Sequence, residues 1–135
     1  MSATATSPES STRRRILVVE DDPAIVTMLR RVLEPTYQVT VAVDGMDGLS
    51  AALHKPEPDL IITDVMMPRL DGYTMIARLR KTSSTHKIPV IFLTAKGDPK
   101  SVVTGITVGA RHYVTKPFRV DDLLDKVRKS LGSST

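Results

Sequence analysis

Short apolar runs alternate along this chain with segments of helical periodicity, and this alternation constrains the fold more than any other feature of the sequence. Three runs, at 16–19, 60–62 and 90–93, are continuously apolar, as in strands that are buried on both faces of a sheet. Two further runs, at 39–43 and 112–115, mix apolar and polar side chains, as in half-exposed strands. Five strands separated by helices predict an α/β fold with a parallel sheet.

The same patterns predict the order of the strands. The three continuously apolar runs belong in the centre of the sheet and the two mixed runs belong at its edges. The order 2-1-3-4-5 satisfies this sorting with right-handed crossovers, and it is the order found in flavodoxin-like folds. We therefore predict a single flavodoxin-like, doubly wound (βα)5 domain with a five-stranded parallel sheet.

Helical periodicity is clearest after the first strand and near the end of the chain. Apolar residues at positions 25, 28, 29, 32 and 33 form one stripe, with Asp22 as N-cap and Pro23 as the first helical residue. A second stripe runs over 120–131, before Gly132. Three further helices are predicted, over 45–54, over 72–81 and from Asp98-Pro99 onward.

The chain is long enough for one compact domain. It has 135 residues, of which 41% are hydrophobic. Residues 1–12 contain seven Ser or Thr and no large apolar residue apart from Met1, which predicts a disordered leader. Residues 132–135 have no apolar periodicity and are predicted to form a disordered tail, so that 13–131 is the expected folded unit.

Composition also excludes several kinds of site. The absence of cysteine excludes disulfides, thiolate metal sites and cysteine nucleophiles, and it fits a cytoplasmic location. No apolar run approaches the roughly 20 residues that span a bilayer, so no membrane insertion is expected. The net charge of +4 depends largely on three consecutive arginines at 13–15, and aromatic residues make up only 4%. No direct contact with nucleic acid is therefore expected.

Polar side chains follow four of the predicted strands at one edge of the sheet. They are Glu20, Asp21 and Asp22 after the first strand, Asp64 after the third, Thr94 after the fourth and Lys116 after the fifth. Ligands of open parallel sheets bind at this edge, where the winding reverses, here between strands one and three. Asp21 and Asp64 are expected to meet there. Because clustered carboxylates repel each other, the site should raise a pKa or hold a cation, and oxygen ligands favour Mg²⁺ or Mn²⁺.

A carboxylate in such a site can also be a nucleophile. It can form an aspartyl phosphate if a metal and hydrogen-bond donors neutralise the charge of the incoming group. Lys116 can place its charge on one phosphate oxygen, and the Thr94 hydroxyl can donate to another. Taken singly, Asp64 could instead open a turn, and Lys116 could be an ordinary surface charge. The hypothesis rests on the convergence of these residues at one sheet edge.

Four stretches of the sequence resemble the receiver domains of two-component response regulators. They are ILVVEDDPAI at 16–25, PDLIITDVMMPRLDG at 58–72, PVIFLTA at 89–95 and GARHYVTKPF at 109–118. The resemblance extends over about residues 14–131 and keeps the order and spacing of the motifs. It implies that Asp64 is the phosphoacceptor and that Asp21 binds Mg²⁺ directly. It also implies that Glu20 binds the ion through water and that the backbone carbonyl of Met66 completes the protein ligands.

The resemblance further implies the parts of a switch. Thr94 would be the switch hydroxyl, Tyr113 the switch aromatic and Lys116 the phosphate-binding cation, with a cis peptide to Pro117. The phosphoryl group would come from a sensor histidine kinase, a phosphotransfer protein or a small phosphodonor. A downstream protein partner would read the face formed by the fourth helix, the fifth strand and the fifth helix, with the chain as a monomer or a phosphorylation-dependent dimer. The domain would assist its own phosphorylation and dephosphorylation without being a multiple-turnover enzyme on an external substrate.

Two alternatives stay open at this point. The chain could be a pseudo-receiver, a binding module that keeps the fold but is not phosphorylated. It could also be a metal-dependent phosphohydrolase, which would want a second acid two residues after its nucleophile, where this chain has Met66. Arg111 and His112 occupy positions where many receiver domains carry an acidic pair, which makes the expected output face more basic.

Overall fold

The structure is a computed structural model that describes residues 13–95 and 109–132. The strands are β1 Arg15–Val19, β2 Gln38–Ala42, β3 Leu60–Asp64, β4 Val90–Ala95 and β5 His112–Lys116. The helices of the described residues are α1 Pro23–Leu33, α2 Gly45–Leu53, α3 Gly72–Leu79 and α4 Val120–Ser130. The predicted leader, the tail beyond Gly132 and the helix after Asp98-Pro99 lie outside the described residues. Because of that gap, α4 is the helix that the sequence predicts as the fifth.

All five strands form one parallel sheet in the order β2-β1-β3-β4-β5, which confirms the predicted flavodoxin-like order 2-1-3-4-5. The register aligns the strand ends at one edge. Val19, the last residue of β1, is the register partner of Ala42 in β2 and of Thr63 in β3. At the far side Ala95 of β4 is the register partner of Lys116. The carboxyl ends of the strands therefore share one edge.

The core has two layers, one on each face of the sheet. Successive residues of β1 belong to different layers, because side chains alternate along a strand. Ile16 packs in the cluster that α1 and α4 cover, and Leu17 packs in the cluster that α2 and α3 cover. The central strands are buried on both faces, whereas β2 is exposed at every second position. The division into central and edge strands that the sequence predicts is thus confirmed.

The start of α1 agrees with its predicted capping signals. The Asp22 side chain accepts a hydrogen bond of 2.9 Å from the backbone N–H of Ala24, and Pro23 is the first helical residue. The hydrogen bond to Asp22 satisfies one of the first backbone N–H groups of the helix, which have no partner within it. Pro23 has no N–H, and at the first helical position this costs no hydrogen bond.

Several element boundaries differ from the prediction by one or two residues. Helix α3 ends at Leu79 instead of 81, because the buried Thr85 hydroxyl donates to the Leu79 carbonyl at 2.7 Å and so satisfies the end of the helix. Helices α2 and α4 end one residue early, and β2 begins and ends one residue early. Strands β3, β4 and β5 extend to Asp64, Ala95 and Lys116, so the predicted site residues at 64, 94 and 116 lie within the strand ends rather than after them.

Two of the three consecutive arginines support helix ends. The Arg13 guanidinium donates to the carbonyls of Glu34 and Pro35 at 3.0 and 2.8 Å, just after α1. Arg14 donates to the carbonyl of Leu131 at 2.6 Å, at the C-cap of α4. A cation at this end of a helix interacts favourably with unpaired carbonyls and with the helix dipole. Much of the basic N-terminal run therefore has a structural role.

We expect Arg14→Ala to lower the free energy of unfolding by about 1 kcal/mol, since it leaves the Leu131 carbonyl without its charged donor. Urea denaturation followed by circular dichroism measures the change. Lys87→Ala is the control, because exposed Lys87 has no hydrogen bond or ion pair among residues 13–95 and 109–132. Equal losses in the two variants would contradict a capping role for Arg14.

Candidate acidic site at the carboxyl edge of the sheet

Three carboxylates lie together at the carboxyl edge of the sheet. Glu20 and Asp21 directly follow β1, and Asp64 is the last residue of β3, the neighbouring strand. One carboxylate oxygen from each lies within 4.8 Å of the other two. The structure therefore brings together Asp21, Asp64 and Glu20, the carboxylates that the sequence predicts at this edge.

Lys116 is the cation of this cluster. Its ammonium group lies 3.0 Å from a carboxylate oxygen of Glu20 and 3.0 Å from one of Asp64. The lysine reaches the site from the far edge of the sheet, as the last residue of β5, and its peptide bond to Pro117 is cis, as the resemblance implied. A second cis peptide, between Lys55 and Pro56, has no counterpart in the prediction.

Burial and pairing shift the pKa values of Glu20 and Lys116. Burial raises the pKa of Glu20 above its ordinary value, and the charge of Asp64 raises it further, against the hydrogen bonds from Asp22 N–H and Lys116. Burial alone would lower the pKa of Lys116, but the hydrogen bonds and charges of Asp64 and Glu20 reverse this and raise it. The lysine therefore keeps its charge at neutral pH.

The charges of the cluster fit a divalent cation. Three carboxylates and one ammonium leave a formal charge of −3 + 1 = −2. The available side-chain ligands are all oxygens, which suit hard ions such as Mg²⁺. Both oxygens of Glu20 already accept hydrogen bonds, from Lys116 and from the N–H of Asp22, whereas Asp21 is exposed. Asp64 likewise accepts hydrogen bonds at both oxygens, from Val65 N–H and from Lys116, so exposed Asp21 is the carboxylate that is best placed to contact an ion.

Backbone hydrogen bonds and a close backbone contact at Gly72 fix the segment that follows Asp64. The N–H of Val65 donates to the Asp64 carboxylate at 3.0 Å, and the N–H of Gly72 donates to the Val65 carbonyl at 2.8 Å. A Cβ atom at Gly72 would lie 2.2 Å from the Asp64 carbonyl oxygen, so only glycine fits there. Gly72 was not among the predicted site residues, although Asp71-Gly72 directly before a helical pattern could have signalled it. The side chain of Met66 points largely to solvent, with 77% of its surface exposed.

Thr94 and Tyr113 lie on the two strands beside the acidic cluster. Thr94 is the penultimate residue of β4 and is buried. The Tyr113 ring stacks on Phe92 of the neighbouring strand, with 5.8 Å between ring centroids. Burial and a hydrogen bond with Tyr73 raise the pKa of Tyr113 well above its ordinary value. The roles of Thr94 and Tyr113 as switch residues stay predictions.

Fold and site together define a class of protein. It is a doubly wound α/β domain with an acidic cluster and one lysine at the carboxyl edge of its sheet, where domains with this topology bind their ligands. The chain belongs to the family of response regulator receiver domains, whose pattern matches residues 16–128. Members of this family are signalling domains of two-component systems rather than enzymes that turn over external substrates, and they interact with histidine kinases.

Three comparisons illustrate the family relationship. The chain is 44% identical over 118 residues to the DNA-binding dual master transcriptional regulator RpaA of Synechocystis, covering 87% of this chain and 48% of that protein. The chain thus spans about half the length of the curated relatives that it matches. The chemotaxis response regulator CheY4 of Vibrio cholerae has a TM-score of 0.81 and 32% identity, covering 88% of this chain and 99% of that structure.

The receiver domain of sensor histidine kinase PA1611 from Pseudomonas aeruginosa was solved with a magnesium ion in its active site cleft. It has a TM-score of 0.79 and 30% identity, covering 89% of this chain and 98% of that structure. Among the described residues of the present chain, no helix is long and apolar enough to cross a membrane.

Proposed function

We propose that this domain is a phosphorylation switch that accepts a phosphoryl group on Asp64. The observation that carries the proposal is the position of Lys116, whose ammonium group lies 3.0 Å from both Asp64 and buried Glu20. A fixed cation beside a carboxylate at an acidic, cation-compatible edge is the arrangement that phosphoryl transfer to a carboxylate requires.

In the proposed reaction a carboxylate oxygen of Asp64 attacks the phosphorus of the donor. The new bond forms in line with the bond to the leaving group, which departs with its electron pair. Lys116 stays beside the acceptor and neutralises negative charge on the phosphoryl oxygens, and the Thr94 hydroxyl donates a hydrogen bond to one of them. A bound Mg²⁺ would supply further charge neutralisation at the same oxygens.

We propose that Asp21, Asp64 and the Met66 carbonyl bind Mg²⁺ directly and that Glu20 binds it through water. The formal charge of −2, the all-oxygen ligands and the exposure of Asp21 beside the burial of Glu20 support this assignment. The magnesium ion in the PA1611 receiver domain supports it by analogy.

Asp21→Asn is expected to weaken Mg²⁺ binding about tenfold or more, because a directly coordinating carboxylate contributes at least as much as outer-shell partners do. Isothermal titration calorimetry with MgCl₂ measures this. Asp22→Asn is the matched control: it makes the same chemical change at the next residue, and asparagine caps a helix as well as aspartate does. Equal affinity in the wild type and the Asp21 variant would remove Asp21 from the ligand set.

Phosphorylation would act through Thr94 and Tyr113. The phosphoryl group draws the Thr94 hydroxyl toward it, Tyr113 moves into the space that this vacates, and the face around β5 changes shape. The phosphoryl donor would be a histidine kinase or phosphotransfer protein in the cytoplasm, and a downstream protein would read the changed face. Two further statements stay predictions: that this chain does not contact nucleic acid directly, and that it is a monomer or a phosphorylation-dependent dimer. The relative RpaA is itself described as DNA-binding.

The test is to incubate the protein with acetyl phosphate and Mg²⁺ and to measure its intact mass. We expect a gain of one phosphate, and none when a chelator removes the metal. No gain at saturating phosphodonor and Mg²⁺ would end the proposal and would favour the pseudo-receiver alternative.

A further inference from the structure

Three of the five aromatic residues of the chain form one cluster beside the site. Phe92 of β4 is fully buried at its centre. Tyr73 meets it edge-on at a centroid distance of 4.6 Å and an interplanar angle of 65°, and Tyr113 stacks on it at 5.8 Å and 26°. Aromatic pairs at these distances and angles attract each other beyond the burial of their area. The cluster therefore connects α3, β4 and β5 on one face of the sheet.

The two tyrosines of the cluster also share a hydrogen bond. Together with burial, this bond raises the pKa of Tyr113 and so stabilises its protonated phenol. Tyr113 is half-buried, and its polar tip needs a partner in this position. Tyr73 provides one.

Tyr73 is joined to the phosphoacceptor strand through the backbone. It is the second residue of α3 and follows Gly72, whose N–H donates to the carbonyl of Val65 at 2.8 Å. Val65 in turn donates its N–H to the Asp64 carboxylate. The backbone next to Tyr73 is therefore tied to the strand that ends at Asp64, and the Tyr73 ring is held against Phe92, whereas Tyr113 comes from a different strand.

We propose that Tyr73 is a positioning residue of the switch, whose hydroxyl is hydrogen-bonded to the Tyr113 hydroxyl and holds the Tyr113 ring against Phe92 before any phosphorylation. This inference deepens the proposed function and rests on it for the role of Tyr113. The Tyr113 position stacked on Phe92 is then already populated in the unphosphorylated protein, and phosphorylation increases its population further.

Tyr73→Phe tests the proposal by removing a single oxygen atom and keeping the ring against Phe92. Loss of one hydrogen bond should reduce the ratio of stacked to unstacked Tyr113 about two- to tenfold. In the full chain with ¹³C-labelled tyrosine, nuclear magnetic resonance should show the Tyr113 ring signals moving out of the ring-current field of Phe92, toward those of a solvent-exposed tyrosine. Tyr37→Phe is the matched control, because Tyr37 packs in the cluster on the opposite face of the sheet.

Unchanged Tyr113 signals in the Tyr73→Phe variant would overturn the proposal. Tyr113→Phe removes the other hydroxyl of the same bond and gives a second test, since it should shift the Tyr73 ring signals. A third arm adds acetyl phosphate and Mg²⁺, which should restore the stacked Tyr113 signals in the Tyr73 variant. If the wild-type mass shows no phosphate, the proposed function fails, but the signals of the unphosphorylated protein still decide the role of Tyr73.

Discussion

Asp64→Asn is expected to abolish the mass gain with acetyl phosphate and Mg²⁺. An amide oxygen is a far weaker nucleophile than a carboxylate, and an amide carries no charge for a metal or for Lys116 to neutralise. The substitution is nearly isosteric, and the amide oxygen can still accept the hydrogen bond that Val65 N–H donates to Asp64 at 3.0 Å. The loss of phosphorylation should therefore occur in a folded domain, which circular dichroism can verify.

Asp71→Asn is the matched control for Asp64→Asn. Asp71 ends the loop that follows Asp64, and its side chain caps α3 by accepting from Thr74 N–H at 2.9 Å, a function that asparagine also performs. This variant should gain one phosphate like the wild type. A phosphate that persists in Asp64→Asn would place the acceptor on another side chain, which peptide mapping would then identify.

Lys116→Met is expected to lower the free energy of unfolding by about 3 kcal/mol in the absence of divalent ions. The variant leaves the carboxylate of Glu20, with only 1% of its side chain exposed, without its cation, and an uncompensated buried charge of this kind costs several kcal/mol. Urea denaturation at pH 7 with a chelator measures the loss. Adding Glu20→Gln should recover much of it, because the double variant buries a neutral amide instead of a charge.

Lys126→Met is the control for the loss of an ion pair as such. Lys126 pairs with Asp122 at 2.6 Å on the surface of α4, where such pairs contribute less than about 1 kcal/mol. A loss in Lys116→Met that is no larger than in this control would show that the buried cluster does not depend on its lysine.

The stability difference between the wild type and Lys116→Met should depend on pH in a definite direction. Because the pKa of Lys116 is raised in the folded protein, its ion pairs contribute fully below the pKa of lysine in the unfolded chain and are lost as the pH rises through the folded-state value. Above neutral pH, the stability gap between the wild type and Lys116→Met should therefore stay constant until the pH approaches the pKa of lysine, and it should shrink at more alkaline pH.

Much of the fold follows from local patterns in the sequence. Continuous apolar runs identify the central strands, mixed runs identify the edge strands, and this sorting leads to the observed strand order. Asp22 and Pro23 mark the start of α1 because capping depends on a few neighbouring residues. Strand ends are less well predicted, since the hydrogen bonds that extend β3 to Asp64 and β5 to Lys116 come from neighbouring strands.

By itself, the sequence determined which residues stand at the carboxyl edge of the sheet, because periodicity and turn chemistry act over a few residues. Only the tertiary structure decided their distances. Lys116 is 96 residues from Glu20 and 52 from Asp64 along the chain, yet it lies 3.0 Å from both. The burial of Glu20 and the pairing of Tyr73 with Tyr113 likewise depend on strand register and on helices packed across the sheet, which no local pattern encodes.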